Sequence, residues 1–339
     1  MYDFVTIGGT TRDVSFFTDQ GVMLDNRRDI LRQELLAFEL GAKIKVDKFH
    51  YSYGGGAANA AVCLANFGFK TACLAPVGDD ESGRLIIKNL AVRQVNTSLM
   101  AKIKGQESGS SFILIDPSGE RIIFAQRGAN VQLSLGPKQL AAVKKSRNVY
   151  IASLAGAWTA NLRRTFAAAS SGQNIFWNPG MTQLKGGLKA LSPFLKRTSV
   201  LSLNKDEATE LIVNSSFKKG LSRSFLDKTE NLLRLIKEAG PQIVVVTLGP
   251  AGVMVYDGQQ FYFRNAIKDK RRVDSTGVGD IFNSTFAAGF NLFSGDIKKS
   301  LDLARRNAAA KVAHLGAHNG LLKSVKRPRS RSSSSRRTK

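Results

Sequence analysis

The chain is short of the residues that build metal centres and disulfide frameworks. Its 339 residues include two cysteines and three histidines. Cys63 and Cys73 sit in apolar segments without metal-ligand spacing, so both read as reduced core residues of a cytoplasmic protein. His50, His314 and His318 share no ligand spacing either, and each reads as a surface or packing residue. No apolar run approaches transmembrane length, and the N-terminus enters a strand pattern at once, without a basic signal-peptide region. Acidic residues are scarce: 26 Asp and Glu face 50 Lys and Arg, a formal net charge of +24. Eight of the basic residues lie from Lys323 onward with no acid among them, and subtracting those eight leaves +16. A charge of that size fits anionic ligands, nucleic-acid contact or a basic proteome, and does not choose among them. Two phosphate-binding motifs are missing. There is no Gly-x-x-x-x-Gly-Lys-Ser/Thr loop, and no Gly-x-Gly-x-x-Gly follows the first strand pattern.

What is present centres on Val273-Asp274-Ser275-Thr276-Gly277-Val278-Gly279-Asp280-Ile281-Phe282. Phe282, Phe286, Gly289 and Phe293 recur after it at helical spacing, so the stretch reads as a glycine turn opening a buried helix. Such a turn offers unpaired N–H groups at the positive end of the helix dipole, a place for an anion. Asp280 would repel that anion unless it is there to accept a proton. The pairing of anion site and carboxylate hints at phosphoryl transfer.

The rest alternates between strand and helix patterns. Phe4-Val5-Thr6-Ile7 reads as a buried strand ended by Gly8 and Gly9, with Asp13 on the outgoing loop. Residues 14–53 mix aromatic and charged residues, and Ala42–Asp47 alternates like a half-exposed strand. Gly54-Gly55-Gly56-Ala57-Ala58-Asn59 then opens a helix, its glycines permitting close backbone approach to a ligand. Thr71–Val77 reads as one buried strand, followed by a helix to about Leu90. Ser110–Ile115 and Arg121–Ala125 flank Asp116-Pro117-Ser118-Gly119, a hairpin signal, and with 14–53 they suggest one small antiparallel unit. Strands at 148–152, 174–178, 200–203 and 243–248 follow, with helices at 159–169 and 301–314. Asn204 and Glu207 have capping-box spacing. The fold class is therefore α/β: a mostly parallel central sheet with helices on both faces and a small extra β-sheet.

In this order the pieces resemble the ribokinase-like (PfkB) family of carbohydrate and nucleoside kinases. Asp274-Ser275-Thr276-Gly277-Val278-Gly279-Asp280 is similar to that family's Asp-Thr-Thr-Gly-Ala-Gly-Asp, with Val278 for alanine and Ser275 for threonine. The Gly54–Asn59 cluster, Asp13, Gly128-Ala129-Asn130, Asn204 with Glu207, and Thr247-Leu248-Gly249 with Gly252 support the match, which spans Tyr2 to about Leu322. The resemblance implies an ATP-dependent kinase. Asp280 would be the general base, and the backbone of Gly277, Val278 and Gly279 an anion hole. Asp13, Gly55, Gly56 and Asn59 would bind the acceptor, Asn204, Thr247, Gly249 and Gly252 the nucleotide, and Glu207 would help organise Mg²⁺ through water. In many members of that family a monovalent cation such as K⁺ sits beside the anion hole; Asp274 and the Thr276 carbonyl are the positions offered for it here.

The expected organisation is an α/β core of 1–13, 54–108 and 127–325, a β-lid of 14–53 and 109–126, and a disordered basic Ser/Arg tail of 326–339. A free sugar is the favoured acceptor and a nucleoside such as adenosine the alternative, since Phe16, Phe17, Phe38 and Tyr51 could stack a base. A different class is a nucleic-acid-associated or regulatory protein on a kinase fold, resting on the tail and the basic Arg264–Arg272 loop. Partners on the first reading are ATP and a small molecule, without a membrane, in a monomer or homodimer, with at most weak nonspecific nucleic-acid contact through the tail.

Overall fold

The computed structural model describes residues 1–26, 28–29, 34–46, 48–116, 121–215, 220–267 and 273–323. The expected tail, the tip of the Asp116–Gly119 turn, Asp47 and the part of the basic loop at 268–272 lie outside the described residues.

One eight-stranded sheet organises the chain. Its strands run, in spatial order, Phe261–Arg264, Val253–Tyr256, Ile243–Thr247, Val200–Asn204, Asn174–Trp177, Asn148–Ile151, Phe4–Ile7 and Thr71–Leu74. The six from Ile243–Thr247 onward are mutually parallel, and the first two form an antiparallel finish. Parallel strands covered on both faces read as continuous apolar runs, as in Ile243-Val244-Val245-Val246. Strand alternation divides those runs between two layers. Val5, Ile7, Val149, Ile151, Ile175, Trp177, Val244 and Val246 pack beneath helices that include Trp158–Ala168, Gly187–Leu195 and Thr229–Glu238. Phe4, Tyr150, Phe176, Val200 and Val245 pack on the other side, under helices Gly56–Asn66, Val278–Leu292 and Ile297–Val312. Both cysteines are buried and unpaired. Among the described residues no helix is long and apolar enough to cross a membrane.

Four local expectations are corrected. Thr71–Val77 is not one strand: Thr71–Leu74 joins the large sheet, and Pro76–Gly78 turns away to pair with Ala101–Ile103. Pro76 has no N–H to continue a ladder. Residues 43–46 alternate in burial but pair with no strand among the described residues, whereas Val22–Asp25 and Glu34–Ala37 form a separate ribbon. The last long helix is Ile297–Val312, started by the Asp296 side chain accepting from the Lys299 N–H. Asp13 lies on a strand, Thr11–Phe17, and not on a loop.

That strand belongs to a second, four-stranded sheet in the order Arg121–Gln126, Ser110–Ile115, Thr11–Phe17, Phe49–Gly54. The outer pairings are antiparallel, but Thr11–Phe17 runs parallel to Ser110–Ile115, so the unit is mixed and not antiparallel. Asp13, Ser15, Ser52 and Ser111 share one face and are all buried. Phe49, Tyr51, Phe112 and Phe124 share the opposite face and are all at least half exposed. Asn130 anchors the entry to this sheet, its amide bonding both the N–H (3.0 Å) and the carbonyl (2.8 Å) of Thr10.

Candidate active site

The carboxyl ends of the central strands and the polar face of the small sheet meet around one glycine turn. Gly55 has φ +89°, and a Cβ on it would come 2.5 Å from the Gly9 carbonyl oxygen, so only glycine fits. Its neighbours touch the two carboxylates of interest. A Cβ on Gly54 would lie 2.2 Å from Asp13 Oδ2, and one on Gly56 3.5 Å from Asp280 Oδ1. The turn therefore has Asp13 and Asp280 beside it, at positions two residues apart. The Gly56–Asn66 helix leaves from it, with Asn59 on its first turn.

Asp280 sits on the first turn of the Val278–Leu292 helix, whose N-cap is Gly277 at φ +72°. A Cβ on Gly277 would meet Ala317 at 2.6 Å, whereas one on Gly279 would meet nothing within 4 Å. The Val278 N–H points to the Ser275 carbonyl at a long 3.3 Å. The N–H groups of Gly277 and Gly279 have no partner among the described residues. This is an open, donor-lined helix start.

Asp280 Oδ2 accepts from Asn59 Nδ2 at 2.7 Å. Burial pushes the Asp280 carboxyl above its ordinary pKa, and the Asn59 bond and the charge of Arg121 pull it partly back. It sits deep among protein atoms yet keeps a partly accessible side. Behind it stands a relay. Because the carboxylate only accepts, Asn59 must offer it nitrogen and turn Oδ1 to His318 Nε2, at 3.0 Å. His318 Nδ1 lies 3.1 Å from the Asn89 side-chain amide. Burial, with the charge of Arg93, lowers the His318 pKa to about 3, so the ring is neutral and carries one N–H. Donating it from Nε2 to Asn59 Oδ1 leaves Nδ1 as an acceptor facing Asn89 Oδ1, a contact that becomes a hydrogen bond once the Asn89 amide is turned to present its nitrogen. His318 is thus more than a packing residue: it fixes the orientation of Asn59.

Asp13 is 4% exposed. Burial raises its pKa to about 6, the Thr11 and Ser111 hydroxyls pull it down, and the charges of Asp274 and Asp280 push it up further. Oδ1 has no hydrogen-bond partner among the described residues. An unsatisfied buried carboxylate oxygen is costly, and a ligand hydroxyl would relieve it.

Asn204 and Thr247 pair in register at the carboxyl ends of adjacent strands. The expected capping box is present: Asn204 Oδ1 accepts from the Glu207 N–H and Glu207 Oε2 from the Asn204 N–H, each at 2.8 Å. Glu207 keeps a solvent-facing side, yet burial of its carboxyl lifts its pKa to about 7, opposed by the Asn204 bond and aided by the charge of Asp280. Gly249 is exposed with open space beside it. Gly252 has a structural role: it is at φ +118°, a Cβ would lie 2.1 Å from the Arg264 carbonyl, and its own carbonyl accepts from Leu248.

Asp274 is the side chain offered for a monovalent cation. It is 1% exposed and its oxygens are taken. Oδ1 accepts from the Thr276 N–H (2.7 Å), and Oδ2 from the Gly316 N–H (2.8 Å) with Lys311 Nζ at 3.3 Å. Burial lowers the Lys311 pKa to about 8 despite the attraction of Asp274, while Asp274 itself is held below its ordinary value by the ammonium and the N–H groups. No cluster of three His, Cys, Asp or Glu side chains suits a metal among the described residues. A single carboxylate such as Glu207 still suits Mg²⁺, which keeps most of its waters and binds through phosphates.

Three residues near the site escape the sequence patterns. Arg121, on the small sheet, donates to Ser275 Oγ and so ties that sheet to the Asp274–Asp280 segment. His318 gives no signal by spacing. Lys311 does leave a trace, since Leu301, Ala304, Asn307 and Lys311 fall on one helical stripe, all buried.

The profile of pfkB family carbohydrate kinases matches residues 28–324. Ribokinase of the mouse, Mus musculus, is 28% identical over 250 residues, covering 73% of this chain and 74% of its own length. Arabidopsis thaliana ribokinase, solved with ribose and ATP, superposes with a TM-score of 0.76 at 19% identity, covering 95% of this chain and 96% of that one. A Burkholderia thailandensis nucleoside kinase solved with inosine gives 0.74 at 16%, covering 94% of each chain. The chain belongs to the pfkB family of carbohydrate kinases.

Proposed function

We propose that this pfkB-family chain moves the γ-phosphate of ATP to a hydroxyl of a small sugar. The observation that carries the reading is the helix start at Gly277–Asp280: N–H groups of Gly277 and Gly279 without partners among the described residues, beside a carboxylate held by Asn59. The small sheet (Thr11–Phe17, Phe49–Gly54, Ser110–Ile115 and Arg121–Gln126) acts as a lid over the α/β core. Asp13 Oδ1 and Asn59 orient the acceptor. Asn204, Thr247 and Gly249 line the nucleotide side.

Asp280 removes the acceptor proton as the new oxygen–phosphorus bond forms. The bond from the γ-phosphorus to the bridging oxygen breaks, and ADP leaves with that electron pair. The Gly277–Gly279 N–H groups, with Val278 between them, face the charge on the transferring group. Arg121 adds a positive charge near the same place. Glu207 would hold Mg²⁺ through water, and the ion would neutralise the phosphate oxygens. The raised pKa of Asp280 suits a group that must take a proton in the transition state.

A sugar is favoured because the buried face of the small sheet carries Asp13, Ser15, Ser52 and Ser111, while Phe16, Phe49 and Tyr51 lie on the opposite face. A base bound beside Asp13 would therefore not reach Phe16 or Tyr51. A nucleoside remains the second reading because Phe17 falls, by alternation, on the Asp13 face. An ADP-release assay over ribose, fructose, sugar phosphates, adenosine, cytidine and inosine tests both. A free sugar should give the highest kcat/KM; a higher value for a nucleoside selects the second reading, and no turnover with any acceptor sinks both.

A further inference from the structure

Lys311 is the unusual residue of this site. It is 0% exposed, on the last turn of the Ile297–Val312 helix. Its Nζ donates to the Asp274 carbonyl at 2.8 Å and lies 3.3 Å from Asp274 Oδ2. We propose that Lys311 is the resident cation of this site: its ammonium holds the place at Asp274 that a monovalent metal ion would take, and the Gly277–Gly279 turn is built without K⁺.

Three features support it. An ammonium and a monovalent ion carry the same charge and both seek oxygens, and Lys311 meets a carbonyl and a carboxylate oxygen of one residue. The remaining Asp274 contacts are internal N–H groups, from Thr276 and Gly316, so a second cation would find occupied oxygens and a like charge beside them. The lysine is also placed to stay charged, between the Asp274 carboxylate and the negative end of its own helix. The same helix end grips the segment through its backbone: the Val312 carbonyl accepts from the Val273 (2.8 Å) and Asp274 (3.2 Å) N–H groups. Helix terminus and lysine together fix the chain entering the glycine turn, the task an ion would otherwise serve.

The test needs no catalysis. The melting temperature of the wild-type full chain is measured in potassium, sodium and tetramethylammonium chloride at equal ionic strength, and Tl⁺ binding is followed by thallium NMR. Wild type should melt at one temperature in all three and bind no Tl⁺ saturably. Lys311→Ala, which opens the space, should melt on the order of 5–10 °C lower. It should regain part of that loss with K⁺ or NH₄⁺ but not with tetramethylammonium. A saturable K⁺ stabilisation or Tl⁺ signal in wild type overturns the proposal, as does a folded Lys311→Ala without cation preference. If Lys311→Ala does not fold, the wild-type arms still decide. Only a kinetic arm, a rate unchanged by K⁺, rests on the kinase reading, so the absence of any turnover would fault that reading and leave the thermal and thallium results standing.

Discussion

Replacing Asp13 by asparagine should make the protein more stable at neutral pH and a poorer enzyme. The folded chain raises this carboxyl from 3.8 to about 6, chiefly through burial. The gap of roughly two units corresponds to about 3 kcal/mol of penalty once the group is ionised in both states. Below about pH 4 the group is protonated folded and unfolded, and the penalty is absent. It sets in as pH rises from about 4 to 6, where the unfolded chain ionises first, and is complete at neutral pH. Asparagine keeps the size without the charge, so Asp13→Asn should melt higher at pH 7.5, on the order of 3–6 °C. The gain should vanish near pH 4. His318 acts oppositely over an overlapping window. Held neutral down to about pH 3, it lets the unfolded chain take up a proton first as pH falls below about 6.5, which costs stability. The difference between variant and wild type at each pH, followed by scanning fluorimetry, isolates Asp13. The reasoning is refuted if the variant is no more stable at pH 7.5, or if its advantage persists unchanged at pH 4. The same variant should raise the acceptor KM, the usual exchange of stability for function at a strained site.

Gly279→Ala has open space beside it and should cost no stability, gaining up to about 1 kcal/mol of helix propensity, yet lower turnover by about 10²–10³ by crowding the N–H donors; equal turnover would remove this turn as the anion site. Gly277→Ala, forced to φ +72° against Ala317, should lose at least about 2 kcal/mol in urea unfolding. His318→Leu should reduce kcat about ten- to hundredfold with the ATP KM unchanged, and His318→Gln, whose amide can still donate to Asn59, should recover most of it; equal rates for both variants would reduce His318 to packing. The outer face of the small sheet exposes Phe49, Tyr51, Phe112 and Phe124 together, the kind of apolar patch that protein contacts use. Sedimentation velocity should find a dimer that Phe124→Lys dissociates; a wild-type monomer at high micromolar concentration would contradict this.

The parallel part of the central sheet was readable because its strands are buried on both faces, so runs such as Ile243–Val246 state their environment directly. The glycine turns were readable for a steric reason: at Gly55 and Gly277 no other residue fits. What sequence pattern missed depends on contacts between distant segments. Asp13 looked like a loop residue because its strand pairs with distant segments, Asp13 itself with Ser52 and Ser111. Arg121 meets Ser275 across 154 positions and His318 meets Asn59 across 259, and neither separation leaves a local signature. Lys311 was hidden differently. Lysines usually face solvent, so its place on a buried stripe carried little weight until Asp274 was found at its tip.

Asp280→Asn tests the central claim most directly. Asparagine preserves the volume and can still accept from Asn59, so ATP affinity by calorimetry should stay within about threefold of wild type. Turnover of the preferred acceptor should fall about 10³-fold or more, the contribution of a positioned general base together with its charge. Near-wild-type turnover with ATP bound would contradict the account, because the proton would then be leaving by another route.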